Sequence, residues 1–100
     1  MQTIILEKPE HFVFTETSIP DEIPDGHALV AVRRIGICGT DLHAYRGHQP
    51  FFSYPRILGH ELGVEILDTD SNEFQLRTGD TCAVEPYLTC GYCFAWRGLM

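Results

Sequence analysis

Three short runs carry side chains able to hold a metal or move a proton. They are Gly36-Ile37-Cys38-Gly39-Thr40-Asp41-Leu42-His43, Leu58-Gly59-His60-Glu61 and Cys90-Gly91-Tyr92-Cys93. A cysteine thiolate and a neutral imidazole are good zinc donors, and a catalytic zinc takes three protein ligands and keeps one position open. Cys38 and His60 supply those two donor types, although their separation fits no zinc-finger spacing. Each residue also has a structural reading. A lone cysteine such as Cys38 is equally at home as a small buried hydrophobe. Thr40 suits a helix cap, Asp41 a solvated acid in a first turn, and His43 a surface histidine. Cys90 and Cys93 stand too close in sequence for an ordinary structural staple and suit a metal or redox site better. No thioredoxin-like βαβ pattern surrounds them, which argues against the redox reading.

These groups need elements to position them, and the sequence predicts mostly short strands. Thr3–Leu6 and Phe12–Thr15 are β-branched and aromatic runs. The stretch from Ile19 to Gly26 holds two prolines and a closing Asp-Gly and reads as a turn-rich connection. Ala28–Val32 is apolar on both faces and predicts a strand buried on both sides. Leu62–Leu67 and Thr81–Val84 are further strands, the second placing Cys82 in the core. The one helix is predicted over Asp41–Arg46, entered through Gly39-Thr40, with Thr40 and Asp41 both suited to cap it. Several short strands at close spacing suggest a barrel or a sandwich.

The composition fits an ordinary folded domain. Hydrophobic residues make up 44% and charged residues 21% of the 100 positions, which excludes a disordered tail. Seven Lys+Arg against fourteen Asp+Glu leave a net charge of −7, which repels phosphate backbones and anionic membranes alike. Nucleic acid and membrane are therefore not expected as partners. No apolar run is long enough to span a bilayer, and the N-terminus lacks the layout of a signal peptide. The expected compartment is the cytoplasm, where the four cysteines stay thiols. Met1 reads as a true start, whereas the run from Cys90 to Met100 opens a segment that it does not finish.

Taken in order, Cys-Gly-Thr-Asp-Leu-His, then Gly-His-Glu, then Gly-Asp and then Cys-x-x-Cys, the sequence resembles the zinc-dependent medium-chain alcohol dehydrogenases. The match runs from about residue 25 to residue 95. Gly36-Ile37-Cys38-Gly39-Thr40-Asp41-Leu42-His43 is most similar to the branch that handles polyols, sugar acids and threonine. The resemblance implies a mainly β fold, a GroES-like β-barrel with one short helix. Residues 1–100 would be the N-terminal part of that catalytic domain, with 86–100 opening a lobe like the structural-zinc lobe of the family. A Rossmann domain that binds NAD or NADP would follow. No Gly-x-Gly-x-x-Gly occurs in these residues, so the cofactor fingerprint lies outside them and this part alone is expected to be inactive.

The resemblance also implies roles. Cys38 and His60 align with catalytic zinc ligands. Glu61 aligns with an acidic residue that is a ligand in some members and stands behind the ligands in others. Asp41 matches the carboxylate that orients the zinc histidine, fixing its tautomer and raising its basicity. Thr40 matches the hydroxyl that bonds the substrate alcohol, and His43 the outer end of a proton relay. The implied reaction is oxidation of a secondary alcohol by hydride transfer to the nicotinamide, with zinc acting as Lewis acid. Threonine's hydroxyl can pass the proton on, and histidine is the side-chain type that exchanges protons near neutrality. The implied partner is a small alcohol or polyol, and the full-length protein is expected to be a homo-oligomer.

The third run departs from the family. Cys90 and Cys93 match the first two of four structural-zinc cysteines, but Trp96 stands at the third position. A closed structural site needs four ligands, so a relic lobe is expected in place of a formed site. Phe51, Phe52 and Tyr54 could line a substrate pocket or merely pack a loop, and Tyr45 and Arg46 are open in the same way. His11, His27 and His48 are expected to be unliganded. The competing reading of the whole is a non-catalytic GroES-like module for metal binding or interaction. A zinc-free reductase relative is disfavoured by Cys38 and Gly59-His60-Glu61. The 100-residue chain alone is expected to leave strand edges and apolar faces uncovered, and so to associate or stay partly disordered.

Overall fold

β-Branched and aromatic residues dominate from Thr3 to Thr15, and they pair as a hairpin. The computed structural model describes residues 1–70, 72 and 74–86. In it β1 (Gln2–Lys8) and β2 (His11–Glu16) run antiparallel with Leu6 opposite Phe12 and Ile4 opposite Phe14. Cys90, Cys93 and Trp96, with all of the expected lobe past Pro86, lie outside the described residues.

The second sheet has the order β3-β4-β5, formed by β3 (Ala28–Gly36), β4 (Glu61–Thr69) and β5 (Thr81–Ala83). All its pairings are antiparallel. The register slips between Val32 and Arg34, leaving Arg33 as an extra residue. Such a bulge bends the strand and increases its twist. Arg33 donates through Nε and Nη2 to Glu65 Oε2 at 3.0 and 2.8 Å. Both side chains are partly exposed, so this cross-strand pair contributes little, about 0.2–1 kcal/mol.

The helix α1 (Gly39–Arg46) lies between β3 and β4 in sequence. Eight residues are too few for a helix that stands alone. Its ends are satisfied from outside. Its N-cap is Cys38, not Thr40 or Asp41 as the sequence predicts. Asp41 instead reaches back from the first turn, its Oδ2 accepting the Cys38 N–H at 3.0 Å. At the other end Gly47 N–H bonds Ala44 O at 3.1 Å and His48 N–H bonds His43 O at 2.8 Å, a Schellman ending. The Tyr54 hydroxyl donates to Ala44 O at 2.6 Å, and Glu10 N–H to Tyr45 O at 2.7 Å. The last carbonyls of α1 thus find donors on two other segments.

Leu6, Ala44, Val64 and Ile66 are the buried apolar side chains among the described residues. Leu6 is wholly buried and joins the hairpin to the chain ahead of β4. Its N–H bonds Arg56 O at 2.8 Å and its C=O accepts Arg56 N–H at 3.0 Å. Phe12, paired to Leu6, stacks on Tyr45 of α1 with ring centroids 5.4 Å apart.

The fold is mainly β with one short helix, as the sequence predicts. The differences are local. Among the described residues the two sheets stay separate and neither closes into a barrel. Ala28–Val32 is not buried on both sides: Val32 is 47% exposed and Leu29, Val30 and Ala31 are half-buried, because β3 is an edge strand of its sheet among the described residues. Cys82 is half-buried rather than in the core, since β5 is the edge of its sheet. No helix among the described residues is long and apolar enough to cross a membrane.

Candidate functional site

The register of β3 against β4 builds the site. Gly36, the last residue of β3, pairs with Glu61, the first of β4. Cys38 follows β3 by two positions and His60 precedes β4 by one, so the pairing delivers all three donors to one end of the sheet. Ligand atoms of Cys38, His60 and Glu61 lie within 4.8 Å of one another. Cys38 and His60 are half-buried and Glu61 is exposed.

Two glycines make this arrangement possible. A Cβ on Gly36 would collide with Glu61 Oε2 and stand 3.0 Å from Glu61 Cβ, so the bare backbone leaves the room the carboxylate occupies. Gly59 has φ of 109°, a conformation side chains resist, and it turns the chain into His60.

Asp41 ties the two half-buried donors together. Its Oδ2 holds the Cys38 backbone N–H, and its Oδ1 lies 3.5 Å from His60 Nδ1. The Asp41 side chain is only 15% exposed, so its field on the imidazole is weakly screened. With Nδ1 turned toward a carboxylate, Nε2 is the nitrogen left for a metal.

The donor set fits zinc. One thiolate, one imidazole and one carboxylate are all zinc ligands, and three protein ligands leave a position open. Zinc bonds of about 2.0–2.3 Å in a tetrahedron spread ligand atoms about 3.3–3.8 Å apart, a separation that falls inside the 4.8 Å bounding these donors.

A cavity of about 450 Å³ opens against this cluster. Cys38, Thr40, Phe52, Arg56, Leu58 and His60 are among the residues that line it. That size suits a small organic ligand. Thr40 is therefore at the cavity. His43 is exposed on α1 and is not part of the lining. Of the three aromatic candidates, Phe52 lines the cavity, Tyr54 is engaged with Ala44 O and the edge of Phe52, and Phe51 is fully exposed. Tyr45 is taken up by its stack on Phe12, and Arg46 is exposed.

His11 and His27 lie away from the cluster. His11 Nε2 is 3.4 Å from Glu7, and His27 Nδ1 donates to Asp25 O at 3.1 Å. Sequence reasoning missed Arg56 and the role of Gly36. Nothing in residue type marked Arg56, while Gly36 could be read only once its partner across the sheet was known.

The chain is the N-terminal portion of a zinc-type alcohol dehydrogenase-like protein. Residues 24–98 match the alcohol dehydrogenase GroES-like domain, and the chain belongs to that family. It is 46% identical over 98 residues to L-galactonate-5-dehydrogenase of Escherichia coli K12, covering 97% of this chain and 28% of that protein. It is 37% identical over 100 residues to sorbitol dehydrogenase of Bacillus subtilis, again covering 97% and 28%. Among solved structures it resembles the alcohol dehydrogenase RspB of E. coli CFT073, determined with NADH, at a TM-score of 0.73 and 37% identity. That likeness covers 94% of this chain and 27% of the other. The chain thus spans little more than a quarter of the length of the relatives it matches.

Proposed function

We propose that this chain is the metal-holding part of a zinc-dependent dehydrogenase that oxidises a secondary alcohol of a polyol or sugar acid. The observation that carries the reading is the convergence of Cys38, His60 and Glu61 to within 4.8 Å, with Cys38 and His60 lining a ligand-sized cavity. The relatives' names, an L-galactonate and a sorbitol dehydrogenase, support the substrate class.

In this reading Cys38, His60 and Glu61 hold the zinc. When bound, zinc would supply Lewis-acid polarisation of a substrate hydroxyl, and a nicotinamide held outside these residues would supply the hydride acceptor. Asp41 keeps the His60 ring aligned and its Nδ1 protonated. Thr40 stands where its hydroxyl can accept the proton of the substrate alcohol and donate its own onward. His43, one turn along the same helix and exposed, is the proton's exit to solvent. Phe52 and Leu58 keep the cavity wall apolar. NAD or NADP serves as cofactor, and Cys90 and Cys93 form no closed metal site without a cysteine in place of Trp96.

The test is zinc content and NAD(P)-linked activity of the full-length protein. Zinc bound through Cys38 and His60, lost in Cys38→Ala and His60→Ala and kept in Cys90→Ala, is the expected result. A His60→Ala variant with undiminished activity would sink the reading.

A further inference from the structure

The cavity beside the metal cluster carries one cation whose purpose the zinc site does not explain. The Arg56 guanidinium lies over the Phe52 ring, Cζ 4.1 Å from its centroid. Its backbone is pinned in both directions to Leu6, which is wholly buried. The side chain is therefore held at its root by a bridge and along its face by an aromatic ring. A guanidinium stacked by its face keeps its N–H edge free, and that edge matches a planar carboxylate.

Among the described residues no carboxylate lies within ion-pair distance of Arg56; the arginine pair found there is Arg33–Glu65. Asp41 also lines the cavity, but its oxygens face Cys38 N–H and His60 Nδ1. In a chain of net charge −7, an anionic ligand needs a local cation to offset the general repulsion. Gln49, on the same wall, adds an amide able to bond a polyol chain.

We propose that Arg56 is a carboxylate-binding residue that makes this pocket a site for polyhydroxy acids. The acid's carboxylate seats on the guanidinium while one of its hydroxyls faces Cys38 and His60. The inference rests on the dehydrogenase reading for the reaction but not for the binding. A single guanidinium suits a monoanion. A phosphate dianion usually draws several donors, so a sugar phosphate is the competing ligand and not the expected one.

The experiment uses the full-length, zinc-loaded protein and matched pairs, gluconate with glucitol and galactonate with galactitol. The members of each pair differ in a carboxylate against a hydroxymethyl group. Binding is measured by calorimetry, and turnover with NAD⁺ or NADP⁺ separately. At least one acid is expected to bind its site at least about 10-fold more tightly than its alditol. Arg56→Met keeps an apolar stem over Phe52 and removes the charge. It is expected to weaken the acid by about 10–100-fold while leaving alditol affinity and zinc content unchanged. Arg56→Lys keeps the charge without the fork and is expected to retain part of the preference. If Arg56→Met does not fold, the lysine variant and the loss of the wild-type preference with rising salt decide the matter.

Equal binding of acid and alditol by the wild type overturns the proposal. So does an Arg56→Met variant weakened on both alike, or glucose 6-phosphate binding more tightly than gluconate. Acid-selective binding without reduction of either nicotinamide would overturn the dehydrogenase reading and leave the carboxylate subsite standing.

Discussion

Asp41 occupies two donors at once, the backbone N–H of Cys38 and the ring of His60. Removing its charge while keeping its shape should therefore loosen both ligands. Asp41→Asn is expected to reduce zinc affinity by about 10–100-fold with the fold intact, measured by competition with a chromogenic chelator. Gly36 acts on the third ligand from across the sheet. A methyl group there meets the Glu61 carboxylate, which must swing away from the cluster. Glycine also weakens a strand by about 0.5–1 kcal/mol relative to alanine. Gly36→Ala should thus lower zinc affinity while the chain still folds, the gain in strand preference offsetting part of the crowding against Glu61 Cβ. The loss should not add to that of Glu61→Ala, because both changes remove one interaction. Additive losses would show that Gly36 acts elsewhere. The donor types at Cys38, His60 and Glu61 were legible from the sequence, since residue chemistry is local. Their convergence was not, because it depends on strand register.

At the scale of elements, the β1–β2 hairpin and the segment before His60 meet at Leu6. That residue is wholly buried and bonded on both sides to Arg56. Leu6→Ala should cost about 2–5 kcal/mol, read from the urea midpoint of the full-length protein. It should also widen the site, since Arg56 and the chain leading to His60 are fastened there. The strands were legible in advance because β-branched and aromatic runs bounded by Pro, Gly and Asp leave few other readings. The helix was legible only in part. Thr40 and Asp41 have the side chains of good caps, but Cys38 takes the cap and Asp41 bonds backward to it. Local type suggested the motif, and the backbone path chose which residue filled each place. The burial of Ala28–Val32 was misread because an apolar run reports what a strand prefers to touch, not what the neighbouring chain supplies.

At the scale of the whole molecule, apolar side chains stand in water on both sheets. Phe14 is 78% and Ile35 59% exposed. β5 closes no ladder beyond its pairing with β4 and presents a sheet edge among the described residues. Uncovered apolar faces and edges promote association. Residues 1–100 expressed alone are therefore expected to sediment as oligomers. A monomeric species that melts cooperatively would contradict this.

The pairing of Gly36 with Glu61 has a consequence for the order of events during synthesis. Every proposed ligand, and the carboxylate that orients one of them, falls between Cys38 and Glu61. A ribosome that has released β4 has released the entire metal cluster. Metal capture is then available to the nascent chain as an early clamp on the pairing of β3 with β4.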